Sequence, residues 1–515
     1  MKKVRVFALL LVLTMVAALV LTACGGDDED VSGNTSSGAT SEVSGSETDI
    51  YKDAEGNYTL KNLNMPEFNF AKTEFKVAIY SNAKESTYYS EEIDPDQMYD
   101  TTDGVIKEAV KVRNDLIEAE TGVKIVGMPV DNVREALVDD FSTGLHTYDA
   151  AMPFMGACAS LAQEGMLYDL NDFTTYLHFE APWWDHSACE SLSIGGHLYF
   201  TTGDISIMQK ITSIALTFNK AMYNDQLVGK YGDLYQMVRE KKWMFDTMYE
   251  MGKVVTADTD GEAGMTYKDT WGLSTSDADA EKYYLASGER FISKDAADLP
   301  ILALGKTENS INVVQKALSL LERDDEWTMN NQRLVGQVDN IWVTSLDVFG
   351  ENRCLFRTTA FSAIKKLRAY EKADEFGIIP LPLMFEGQDT YYTPASAKYA
   401  YGIVIPLNVE DAEFSAYMIE LMSCYAKNTL TPAYYETTLK TRDATDKESE
   451  DMLDNYIFNN VVYDLGIIHD FGKVSSQLSS LMSTKSTDIV STLESNRDAI
   501  QSAIEECVEA YKLNG

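Results

Sequence analysis

The stretch "FKVAIY", residues 75–80, reads as a strand, and the segments that follow it decide the fold. Ile106, Ala109, Val110, Arg113, Leu116 and Ile117 recur at spacings of three and four, the stripe of an amphipathic helix. Thr121-Gly122 ends it, glycine being suited to the left-handed cap. Val123–Met128 predicts a second strand, Val133–Phe141 a second helix and Tyr148–Met152 a third strand. Strands alternating with helices predict βαβ units and a mixed or parallel sheet. Ligands of such sheets bind beyond the carboxyl ends of the strands.

Outward from this unit, a second strand-and-helix series begins at Ser213–Phe218, and Leu355–Pro406 is strand-rich again. Beyond Glu410 the pattern turns helical over Ala412–Ala426, Lys447–Asp464, Val474–Met482 and Thr487–Leu513. The 515-residue chain is too long for one core, so two lobes or more are expected.

The amino end is of another kind. Lys2, Lys3 and Arg5 precede an apolar run, Val6–Leu21, too short to span a bilayer. It reads as a signal peptide, residues 1–23. Leu21-Thr22-Ala23-Cys24 resembles the lipobox of bacterial lipoproteins, which implies cleavage before Cys24 and a diacylglycerol on its sulfur. Residues 24–50 are Gly, Ser, Thr and acid without Lys or Arg, a composition that cannot bury a core and predicts a flexible tether. The expected location is the extracytoplasmic face of the cell membrane.

The chain has 81 acids against 43 bases and a formal charge of −38. Nucleic acid is therefore an unsuitable partner, since phosphate contacts need clustered Lys and Arg. Six cysteines without a Cys-x-x-Cys do not describe a disulfide framework. Apart from Cys24 they read as small buried residues, with a Cys158–Cys189 bridge as the alternative. Phosphate-loop, zinc-protease and serine-hydrolase motifs are all missing, and the five histidines lack metal-ligand spacing.

Two features point to binding instead. The first is an aromatic surplus of 29 Tyr, 20 Phe and 6 Trp, some in polar settings such as "APWWDHS" (181–187), "GQDTYYTPAS" (387–396) and "VDNIWVTS" (338–345). Flat rings beside carboxylates and amides suit sugars, although half-buried packing explains them equally. The second is "DTDGEAGMTYKD", residues 258–269. Asp258, Asp260, Glu262 and Asp269 fall at the first, third, fifth and twelfth positions of an EF-hand-like calcium loop. Ala263 stands where the sharp turn wants Gly, and a solvated acidic loop is the alternative.

Seven stretches, in order, resemble the extracellular solute-binding proteins of ABC importers, in the oligosaccharide-binding branch. They are "YDAAMP" (148–153), "LAQEGMLYDLND" (161–172), "GGHLYFTTGD" (195–204), "LTFNKAMYND" (216–225), "KKWMFDTMYEMGKVV" (241–255), "TWGLSTS" (270–276) and "FGIIPLPLMFEG" (376–387). Thr202 replaces the family's proline. Met244 stands where a capping Thr is usual, which leaves Asp246 to cap the helix.

The resemblance implies an α/β, two-lobed periplasmic-binding-protein-like fold with mixed sheets, a hinge and a helical C-terminal tail. Lobe one would take 73–205 and 345–405, and lobe two 206–344 and 406–515. It implies a monomeric receptor that needs no cofactor and hands a sugar or oligosaccharide to permease subunits by hinge closure. A cell-surface glycan-processing enzyme and a structural or adhesive surface lipoprotein are the alternatives. Six residues are candidates for the ligand. Tyr80 ends the first strand, Trp183 and Trp184 lie in a polar loop, and Asp204 is near the first crossing between lobes. Trp271 begins a strand of lobe two, and Trp342 precedes the return crossing.

Overall fold

The computed structural model describes residues 49–514 except 83–86, 98–103, 324–325, 368–369, 371–375, 397 and 436–445. The signal peptide, Cys24 and nearly all of the tether lie outside the described residues. The predicted unit forms as read. Strand β1 (Glu74–Tyr80) pairs in parallel with β2 (Lys124–Val130) along its whole length, and β3 (Ala150–Ala151) joins the other side of β1. The helix Gly104–Thr121 returns the chain between β1 and β2 and buries Ile106, Val110, Arg113 and Ile117, the expected stripe. Gly122 follows it at φ 75°, a backbone shape that costs a residue without Cβ nothing. The next helix, Val133–Thr143, is capped by the Asn132 side chain, which accepts from the Glu135 N–H.

Downstream strands are β4 (Ile214–Asn219), β5 (Trp271–Thr275), β6 (Ile292–Lys294), β7 (Pro300–Leu302), β8 (Thr328–Asn330), β9 (Cys354–Ala360), β10 (Phe376–Ile379), β11 (Thr393–Pro394) and β12 (Val461–Val462). Five of them form a second sheet in the order β10-β4-β9-β5-β8. It is mixed: β4 runs antiparallel to β9 and β10, whereas β5, β8 and β9 are mutually parallel. Strands β4 and β5 are buried at every position, as expected where both faces of a sheet are covered. The helix Phe245–Val255 lies close on β5. A Cβ on Gly272 would come 2.5 Å from the Gly252 Cα, so two glycines set this approach.

The assignment of segments to sheets differs from that implied by the resemblance. Segment 345–405 was expected in lobe one, but β9 and β10 lie in the second sheet, hydrogen-bonded to β4 and β5. The chain returns to the first sheet only later, through the bridges Ala151–Val404, Phe154–Tyr401 and Thr201–Ile403. The helix Ala412–Asn428 then packs on Gly104–Thr121, with Phe414 edge-on to Phe75 at 5.8 Å. Segment 406–515 was expected in lobe two, yet this part of it serves the first sheet. The physical reason is strand pairing: β9 hydrogen-bonds to β4 on one flank and to β5 on the other, which ties its segment to the second sheet.

The helical C-terminal tail is present. The segment 447–464 is interrupted: Lys447–Met452 is α-helical, then π and 3-10 turns lead into β12. The last helix, Ile489–Asn514, touches elements on both sides. Tyr511 meets Tyr199 edge-on at 4.8 Å, and the helix packs on both Met155–Gln163 and Glu308–Leu321. Among the described residues no helix is long and apolar enough to cross a membrane. Cys158 and Cys189 are both free, so the alternative bridge does not form; the Cys189 Sγ lies 3.1 Å from Thr201 Oγ1. Asp246 does not cap its helix. Met244 holds the cap position without a side-chain bond, and Asp246 in the first turn pairs with Lys316.

Candidate functional site

Strands β1 and β3 end on one side of the first sheet, and aromatic rings cover that side. Tyr80, the last residue of β1, stacks on Phe154 with centroids 4.1 Å apart and lies 5.7 Å from Tyr401. Tyr88 stacks on Tyr399 at 4.0 Å. Tyr401 donates its hydroxyl to the Tyr88 carbonyl, joining the two stacks. In the second sheet the parallel strands β5, β8 and β9 also end together, and antiparallel β4 begins there, with Ile214 opposite Ala360. Polar groups collect at this end. Ser274 Oγ is 2.8 Å from Ser345 Oγ, and Asn330 donates to Asp277 at 2.7 Å. Arg357 Nη1 donates to Thr359 Oγ1. The two sets meet where Tyr88 Oη lies 3.1 Å from Ser362 Oγ, on the helix directly after β9.

Rings on one side and hydroxyls, amides and a guanidinium on the other match both surfaces of a sugar. Aromatic faces suit the apolar faces of a sugar and polar groups its hydroxyl edges. Both sets lie at the carboxyl ends of strands, where α/β sheets place their ligands.

The sequence candidates divide. Tyr80 belongs to the ring cluster, though it is buried. Trp342 is 55% exposed in the first turn of Ile341–Gly350, a helix capped by Asn340 and packed on the turn that follows β8. Trp271 is at the amino end of β5, buried, its indole N–H donated to the Thr266 carbonyl at 2.9 Å. Trp183 and Trp184 are buried as well, and both indole N–H groups donate to Glu420, at 3.1 and 2.9 Å. The polar neighbours that suggested an open loop have structural tasks: Asp185 caps the next helix, and Glu420 comes from another helix altogether. Burial pushes the Glu420 carboxyl up, against bonds from His178 and Trp184.

Asp204 lies elsewhere, in a cavity of about 490 Å³ lined by Trp183, Trp184, Gln209, Lys210 and Lys427 among others. Its carboxylate is already engaged, with Lys427 Nζ at 2.9 Å, Lys210 Nζ at 3.5 Å and the Thr431 hydroxyl at 2.7 Å.

In the acidic loop, Asp258, Asp260 and Asp269 bring one oxygen each within 4.8 Å of the others. Glu262 is outside this group and pairs with Lys268 at 2.6 Å. Asp269 accepts from the Thr259, Asp260 and Thr266 N–H groups at 2.6, 2.9 and 2.6 Å. Burial works to raise its pKa, but these backbone bonds outweigh it and hold the group below the usual carboxylate range. The cluster thus ties the loop together through its own hydrogen bonds.

Sequence reasoning missed Tyr88, Phe154, Tyr399, Tyr401, Arg357 and Ser362. A signal existed for one of them: Arg357 is the sole charged residue in "CLFRTTA", a strand otherwise fit for a core.

No family model matches the chain, and no curated protein matches it. Solved structures do. A cyclo/maltodextrin-binding protein complexed with maltotetraose aligns with TM-score 0.52 at 15% identity, covering 86% of this chain and 97% of that one. A sugar transporter from Rhizobium etli in an open conformation aligns with TM-score 0.54 at 12% identity, over 85% and 99%. A cyclic alpha-maltosyl-1,6-maltose binding protein from Arthrobacter globiformis gives 0.52 at 13% identity, over 84% and 100%. At these identities the likeness is one of fold: the chain has the two-lobed α/β fold of these proteins.

Proposed function

We propose that this chain is an extracytoplasmic receptor that binds an oligosaccharide and delivers it to an ABC importer by hinge closure. One observation carries the reading: the carboxyl ends of both sheets converge, rings on one side and polar groups on the other, across the crossings that would act as hinge. The neighbours by fold are sugar-binding proteins, which agrees with it. A ligand that touches both sides favours the closed form by its extra contacts there, and permease subunits would read that form. The first lobe would comprise the β1–β3 sheet with residues 400–428, the second the β4–β10 sheet. No nucleophile or general base is needed, in keeping with the motifs the sequence lacks. A lipid on Cys24 and an acidic tether would hold the receptor, as a monomer, near its permease.

Calorimetric titration with an oligosaccharide panel tests this, with product analysis of the same mixtures. Saturable binding without turnover is the expected result. Product formation would mean a glycan-processing enzyme, and neither binding nor turnover a structural or adhesive role.

A further inference from the structure

The cavity beside Asp204 is separate from the receptor site. It holds about 490 Å³ and shares no residue with the ring cluster of the first sheet. That volume falls within the range of about 300–1,000 Å³ usual for small-molecule sites. Its wall is drawn from both sides of the crossing. Trp184 bridges Gly203, whose neighbour Thr201 bridges Ile403 of the first sheet, and Lys427 is in the last turn of the helix Ala412–Asn428. Gln209 and Lys210 lie on the run that leads into β4 of the second sheet. Phe458 packs at 5.0 Å on Phe361, the first residue of the helix after β9.

The polar groups of this wall are unevenly used. Its carboxylate oxygens all have partners. Asp204 Oδ1 accepts from the Thr431 hydroxyl at 2.7 Å with Lys210 Nζ at 3.5 Å, and Oδ2 pairs with Lys427 Nζ at 2.9 Å. Asp185 Oδ1 accepts from the Ala188 N–H at 3.0 Å and Oδ2 from the Tyr463 hydroxyl at 2.6 Å. Donors are left over: each ammonium carries three N–H groups, and the two partly exposed lysines share one carboxylate. Gln209 supplies an acceptor. It is 5% exposed and its Nε2 donates to the Gly203 carbonyl at 3.0 Å, while its Oε1 has no partner among the described residues. A buried oxygen without a donor carries a desolvation penalty that a bound molecule can remove.

We propose that this cavity is a second binding site, for a small neutral polyol or monosaccharide. Three features select that chemistry. A hydroxyl accepts from an ammonium and donates to an amide oxygen, the two roles that the wall leaves open. An ionised acid only accepts, and among the carboxylates of Asp185 and Asp204 and the ammoniums of Lys210 and Lys427 it would add an unmatched charge. Pro182, Phe458 and Val461 offer apolar surface to the carbon skeleton. The site goes beyond the receptor reading and does not depend on it. Its wall comes from both sides of the crossing, so an occupant touches parts that hinge closure would move against one another. Such a solute shifts the same equilibrium as the cleft ligand, and each then alters the affinity of the other.

The experiment labels the purified chain with 5-fluorotryptophan and titrates it with sorbitol, glucose and gluconate, the last being sorbitol-like but carrying a carboxylate. The fluorine resonance of Trp184, identified by its loss in Trp184→Phe, reports on the cavity wall. At least one of the two neutral solutes should shift it saturably, and gluconate should bind about tenfold or more weakly. Gln209→Leu and Lys427→Met should each weaken the neutral solute about tenfold, the scale of one lost hydrogen bond to a buried or charged partner. Thermal melts establish which variants are folded, and one folded variant of the two suffices. A folded Tyr399→Ala, altered in the ring cluster, should keep the wild-type shift. Gluconate binding as tightly as the neutral solutes would overturn the proposal. So would wild-type affinity in the folded Gln209→Leu and Lys427→Met proteins, loss of the shift in Tyr399→Ala, or no saturable shift with any of the three probes. Each of these outcomes leaves the receptor reading standing, because that reading is tested by oligosaccharide binding at the ring cluster.

Discussion

Tyr88 Oη and Ser362 Oγ lie 3.1 Å apart, joining the ring cluster of the first sheet to the helix that follows β9. A neutral hydrogen bond is worth about 0.5–1.5 kcal/mol net. Here that energy favours the form in which the two sides touch. Ser362→Ala should therefore weaken the best saccharide about fivefold, equivalent to about 1 kcal/mol. Small-angle scattering of the unliganded variant should move toward a more open shape. An unchanged affinity together with an unchanged scattering curve would remove this bond from the closing mechanism.

Trp342 and Trp271 should respond in opposite ways. Trp342 is exposed beside the polar end of the second sheet, whereas Trp271 is 3% exposed at the far end of β5. Trp342→Ala should cost on the order of 2 kcal/mol in ligand binding with little change in melting temperature. Trp271→Ala should lose about 3–5 kcal/mol of stability, as large core truncations do. Paired calorimetry and thermal melts decide the matter, and a Trp342→Ala protein that binds as wild type rules this ring out as a sugar platform.

Glu92 should make stability depend on pH. It is fully buried, and burial pushes its carboxyl up to about 7 from an ordinary 4.5, against bonds from the Glu91 N–H and Ser206 Oγ. Between those two values the folded chain holds a proton that the unfolded chain has lost. Stability from this group is therefore present below about pH 4.5 and lost as pH rises through 7. The full effect is on the order of 3 kcal/mol, at about 1.4 kcal/mol per pH unit. Glu92→Gln should flatten this fall, read as melting temperature from pH 4 to 8. Parallel curves for the two proteins would contradict it.

Deleting residues 489–515 should destabilise the chain, since Ile489–Asn514 buries Ile500, Ile504, Cys507 and Tyr511. Because that helix touches Met155–Gln163 on one side and Glu308–Leu321 on the other, Tyr511→Ala offers a milder probe. It should lower the melting temperature and shift ligand affinity together. A loss of stability with affinity untouched would make the tail a packing element alone.

In the acidic loop, Asp269→Asn should lower the melting temperature, because the side chain then presents one oxygen to three backbone N–H donors. Added Ca²⁺ and chelator, applied to wild type, test the cation separately. A calcium-dependent rise would mean that Asp258, Asp260 and Asp269 also hold an ion.

Local pattern determined much about this protein. The stripe from Ile106 to Ile117, the cap at Gly122 and the strand at 75–80 were legible because each depends on neighbours three or four residues away, or on one residue's freedom of φ. The order of seven short motifs carried the two-lobed fold. What tertiary structure alone decided was pairing across the chain. β9 could have joined either sheet by composition, and only its register with β4 and β5 settles which. Trp183 and Trp184 look solvent-facing until Glu420, more than 230 residues away, takes both indole N–H groups. The ring cluster joins residues 80, 88, 154, 399 and 401, and no local spacing can bring such distant positions together. A sequence records the chemistry each residue can perform. Which partner it meets is chosen by the packing of elements far apart in the chain, and for this protein that choice separates the buried tryptophans from the residues that face the crossing.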